Sequence, residues 1–83
     1  MEKNRVFEQV VEICRDVFED DSLVLTETST ASDVEKWDSL THLSLVNEME
    51  QTFKVAFTLD EMSGRTLGDL VEALMRHLEE KQG

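Results

Sequence analysis

Eighty-three residues carrying a net charge of −11 leave room for one small domain, since domains typically run to roughly 100–200 residues. A chain this short buries only about 60–65% of its unfolded surface, which leaves little room for a deep enclosed active site. Acids outnumber bases eleven to four through Asp38 and eight to four after it, which repels phosphate backbones and anionic membranes and favours partners with basic patches.

An apolar share of 40% with 33% charge places the chain among folded proteins. The absence of proline and the presence of only three glycines suit an all-helical fold. At about 100° per residue, Val6, Phe7, Val10, Val11, Ile13, Cys14, Val17 and Phe18 fall in one arc. Charged and amide residues fill the other side, so an amphipathic helix is predicted from Lys3 to Glu19. Residues 20–38 are rich in Ser, Thr and Asp and show no period. They read as a long ordered loop anchored by Leu23, Val24, Leu25, Val34 and Trp37, and loops of such length tend to be functional. A second helix is predicted from about Ser39 to Phe53, with Leu43, Leu45, Val46, Met49 and Phe53 inward. An extended stretch follows, able to turn Val55 and Phe57 inward. Next comes one short helical turn capped by Thr58, with Leu59 and Met62 able to pack. Thr66-x-x-Asp69 approximates a capping box and opens a last helix to about Lys81, striped by Leu67, Leu70, Val71, Leu74, Met75 and Leu78. The prediction is an all-α four-helix bundle over residues 1–83, with three main helices, one short helix and a long first loop.

Candidate chemistry is sparse. Cys14 sits in the apolar arc of the first helix and reads as a buried, inert thiol. One cysteine cannot form an internal disulfide, and no Cys/His cluster has metal spacing. The acidic loop from Asp20 lacks the glycine and the ligand rhythm of a calcium loop. Ser39 and His42 raise a serine–histidine dyad, but no oxyanion hole, orienting acid or sheet accompanies them. His42, at the polar margin of its helix, reads as solvated, and His77 is placed on the outer face of the last helix. No apolar run approaches the roughly 18 residues of a membrane span, and no signal-peptide core opens the chain. A cytoplasmic protein is expected.

The tripeptide Asp-Ser-Leu occurs twice, at residues 21–23 and 38–40. Ser22 reads as a turn residue, whereas Ser39 is read as the N-cap of the second helix. Leu40 falls outside the inward arc, beside Ser44, Asn47 and Gln51, which suits a docking contact. A hydroxyl at this exposed helix N-terminus would favour an attached phosphate.

The stretches "WDSLTHLSLVNEMEQTFKVAF" and "RTLGDLVEALMRHL" resemble the acyl carrier protein family, which includes peptidyl carrier domains. The resemblance spans essentially the whole chain. It implies that Ser39 accepts 4′-phosphopantetheine from coenzyme A, through a phosphodiester made by a separate Mg²⁺-dependent phosphopantetheinyl transferase. The arm's terminal thiol would hold acyl or aminoacyl groups as thioesters, so the protein itself is not an enzyme. Asp38 would help position the transferase and its Mg²⁺. Leu40, Ser44, Asn47 and Glu48 would form the docking face for acyl-activating and acyl-transferring or condensing enzymes, on a monomeric carrier. A glycine frequent before the family's Asp-Ser pair is replaced here by Lys36-Trp37, and the outward face of the second helix is poor in acid. These departures point to a specialised polyketide, peptide, amino-acyl or lipid pathway rather than primary fatty acid synthesis. The alternative is a small acidic interaction module without a prosthetic group.

Overall fold

The amphipathic pattern of the first helix is realised over α1, Lys3–Val17, in a computed structural model that describes residues 2–82. The other helices are α2 (Ser39–Phe53), α3 (Leu59–Met62) and α4 (Leu67–Gln82). Among the described residues there is no strand, only one isolated antiparallel bridge between Thr30 and Thr66. This is the all-α four-helix arrangement with a long first loop that the sequence predicts.

α1 stops two residues short of its predicted end, because Glu19 adopts a left-handed conformation with φ of 55°. The Asp20 N–H then reaches back to the Arg15 carbonyl at 2.9 Å, and the Glu19 N–H to that of Asp16 at 3.3 Å. Such a pair of bonds closes a helix in a Schellman motif. Val6, Val10, Val11, Cys14 and Phe18 are buried from this segment, with Phe7, Ile13 and Val17 packed at the core edge.

α2 contributes Leu45, Val46, Met49 and Phe53 to the core. Leu43 does not join them and is 57% exposed. It sits at the rim of the stripe, about 100° from its centre at the helical repeat. Phe57 is buried and Val55 half-buried beyond the helix, as their alternation predicts. The Thr58 hydroxyl accepts the Glu61 N–H at 3.2 Å, and the Glu61 carboxylate accepts the Thr58 N–H at 2.8 Å. Met62 packs against the core, but Leu59, at the start of this single turn, is 84% exposed.

The predicted box at α4 is present, with the Asp69 N–H donating to Thr66 Oγ1 and the Thr66 N–H to Asp69 Oδ2, both at 3.1 Å. Two more N–H groups of this helix start, those of Leu67 and Gly68, donate to the carbonyls of Ser29 and Glu27 at 2.9 and 2.8 Å. The long loop is therefore docked on the orphan donors of α4. Gly68 permits the approach: a Cβ there would lie 2.7 Å from the Glu27 carbonyl oxygen. Leu25, Val34 and Trp37 anchor the loop in the core and Leu23 packs at its edge, whereas Val24 points outward at 81% exposure.

Candidate functional site

The loop ends at Asp38, and this residue, not Ser39, caps α2. Asp38 Oδ1 accepts the N–H groups of Leu40 at 3.0 Å and Thr41 at 2.9 Å. Thr41 Oγ1 accepts the Asp38 N–H at 2.8 Å and donates to the Lys36 carbonyl at 2.7 Å. The Thr41 N–H, followed by the other donors at this helix start, holds the Asp38 carboxyl below the usual carboxylate range. Ser39 thus moves from the expected cap to the first helical position. Aspartate and serine are both favoured caps, and only the geometry decides between neighbours.

Being spared the capping task frees the serine. Ser39 is exposed, and its hydroxyl has no hydrogen-bond partner among the described residues. Leu40 beside it is 76% exposed, as its helical phase requires. Ser44, Asn47 and Glu48 are exposed along the same helix. Ser22 behaves differently: its N–H and hydroxyl both donate to Asp20 Oδ1, at 3.1 and 2.9 Å, inside a turn.

His42 is not the solvated residue, nor His77 the outer-face one, that the sequence suggests. His42 is half-buried, with Nδ1 3.0 Å from Trp37 Nε1 and Nε2 2.6 Å from the Met62 carbonyl oxygen. Both ring nitrogens are committed, so neither can take a proton from Ser39, and the dyad is absent. The signal was present in the sequence: His42 precedes Val46 by four residues and Met49 by seven, in line with the buried stripe. His77 is half-buried too, stacked on Phe57 with centroids 5.6 Å apart and bonded to Glu61 Oε1 at 2.9 Å. Burial pushes the Cys14 thiol up to about 12, which leaves it inert at neutral pH. No group of side chains that could hold a metal ion occurs among the described residues.

An open cleft of about 630 Å³ runs beside Ser39, between the N-terminal turn of α2 and α3, with Ala31, Leu43 and Met62 among its walls. The family described as "Phosphopantetheine attachment site" matches residues 8–74. The chain belongs to this family. A holo acyl carrier protein from Geobacter metallireducens, solved by solution NMR, is similar to this carrier with 36% identity and a TM-score of 0.86. The match covers 93% of this chain and 90% of that one. No curated protein matches the carrier. Membership brings a covalently attached 4′-phosphopantetheine and sets aside an interaction module without a prosthetic group. The residues present fit such a group: a phosphodiester needs an accessible, uncommitted hydroxyl, and a helix N-terminus favours its negative charge. Ser39, at the start of α2, meets these conditions.

Proposed function

We propose that Ser39 bears the phosphopantetheine, installed from coenzyme A by a separate Mg²⁺-dependent transferase, and that the protein shuttles acyl or aminoacyl cargo between enzymes. The observation that carries this reading is the unengaged Ser39 hydroxyl on the first turn of α2, between the capping Asp38 and the exposed Leu40. When bound, the group supplies a flexible arm whose terminal thiol holds the cargo as a thioester. The chain's own residues present that arm. Asp38 keeps one carboxylate oxygen, Oδ2, clear of the capping bonds and available toward the transferase and its metal.

Leu40, Ser44, Asn47 and Glu48 form the docking face, on which an apolar contact is surrounded by uncharged polar groups and a single acid. Partners that read this face rely less on charge than on shape and hydrogen bonding. That supports a specialised polyketide, peptide or lipid pathway over primary fatty acid synthesis, with acyl-activating and acyl-transferring or condensing enzymes as partners. We place the monomeric carrier in the cytoplasm; no described helix is long and apolar enough to cross a membrane.

The test is the intact mass after incubation with coenzyme A and a broad-specificity phosphopantetheinyl transferase. Wild type and Ser22→Ala gain one phosphopantetheine, and Ser39→Ala gains none. A modified Ser39→Ala protein sinks the assignment.

A further inference from the structure

We infer that His42 is a protonation-gated latch that clamps the end of the long loop and α3 around the N-terminal turn of α2. The indole Nε1–H of Trp37 can only donate, so His42 Nδ1, 3.0 Å away, must accept. The Met62 carbonyl can only accept, so His42 Nε2, 2.6 Å away, must donate. One tautomer of the neutral ring satisfies both demands. A second proton on Nδ1 would set two N–H groups face to face, and the bond to Trp37 is lost.

Around the His42 ring, the loop end is also tied to α2 by the Thr41 hydroxyl, which donates to the Lys36 carbonyl, and α3 rests on the core through Met62. α3 is four residues long with no fully buried side chain, and its Glu61 is turned to His77 on α4. Trp37 is 4% exposed and packs on Phe18 at the end of α1, with centroids 5.7 Å apart. Its ring lies nearly parallel to that of His42, at 14°. Releasing the indole therefore loosens the loop end and one wall of the cleft beside Ser39.

His42 lines the cleft beside Ser39, where Asp38 from the start of α2 is the charged group, and a second cleft of about 400 Å³, where Arg65 from the α3–α4 connection is the charged group; the loop side presents Thr30, Ala31, Ser32 and Trp37, none of them charged. An imidazolium at His42 cannot accept the indole proton.

Trp37 is the sole tryptophan, so its indole N–H resonance and its fluorescence report on the latch directly. The measurement is a titration of the apo protein from about pH 8 to 5, where imidazole side chains change charge. The indole signal should move along a one-proton curve, and its protection relative to free indole should fall roughly tenfold, the size of one lost hydrogen bond. In H42Q the amide both accepts and donates, so the response should vanish; H77Q should keep it. A Trp37 signal that stays flat in wild type overturns the latch, as does a response abolished by H77Q. If H42Q does not fold, wild type and H77Q alone decide in the same terms.

Discussion

Asp38 and Ser39 divide between them what a single capping serine would have done alone. The acid takes the Leu40 and Thr41 N–H groups, and the hydroxyl beside it remains open for modification. An amide at position 38 still offers an oxygen to those donors but loses the charge. Asp38→Asn should therefore lower the thermal midpoint less than Asp38→Ala does. Both should slow loading by coenzyme A and transferase roughly tenfold or more, as loss of a group that positions a metal does. Equal loading of the Asn variant and wild type would confine Asp38 to capping. At this scale the sequence was partly legible. The exposure of Leu40 followed from its helical phase, but the cap was assigned one residue late and His42 was read as polar because of its type rather than its position.

The four elements are legible for local reasons, and the loop between the first two is not. Thr58 and Thr66 cap α3 and α4 as their spacing to Glu61 and Asp69 allows, because capping is settled within four residues of chain. The loop instead spends its carbonyls on the N–H groups of a helix some forty residues away, at Leu67 and Gly68. No periodicity records such a partner. Replacing the Gly68 hydrogen with a methyl group meets the Glu27 carbonyl at 2.7 Å, and backbone cannot swing aside as a flexible side chain can. Gly68→Ala should therefore cost about 1–3 kcal/mol, read as a lowered urea midpoint with loss of protection in residues 25–30. A variant as stable as wild type would show that the loop shifts freely.

Charge governs the whole molecule. A net −11 on 83 residues opposes compaction, so raising sodium chloride from near zero to about 0.15 M should raise the thermal midpoint, the Debye length falling to roughly 8 Å. On the acid side Asp38, Glu61 and Asp69 all lie below their ordinary values of 3.8, 4.5 and 3.8, chiefly through backbone N–H groups of Thr41, Thr58 and Thr66. A carboxyl depressed in the folded state adds stability that is complete above its unfolded value and is lost as pH falls through its folded one. Helicity by circular dichroism should accordingly hold down to about pH 4.5 and fail below it; a midpoint that only rises on acidification would mean that relief of self-repulsion outweighs the caps. The amino-acid sequence by itself determined the helices, most of the buried stripes, the two Thr caps and the family, since each depends on local spacing. Tertiary structure alone decided that Val24 and Leu59 face outward, that the loop lies on α4, and that His42 joins Trp37 to Met62. Those outcomes depend on which surfaces meet across the bundle, and pairwise geometry between distant residues leaves no period in the chain.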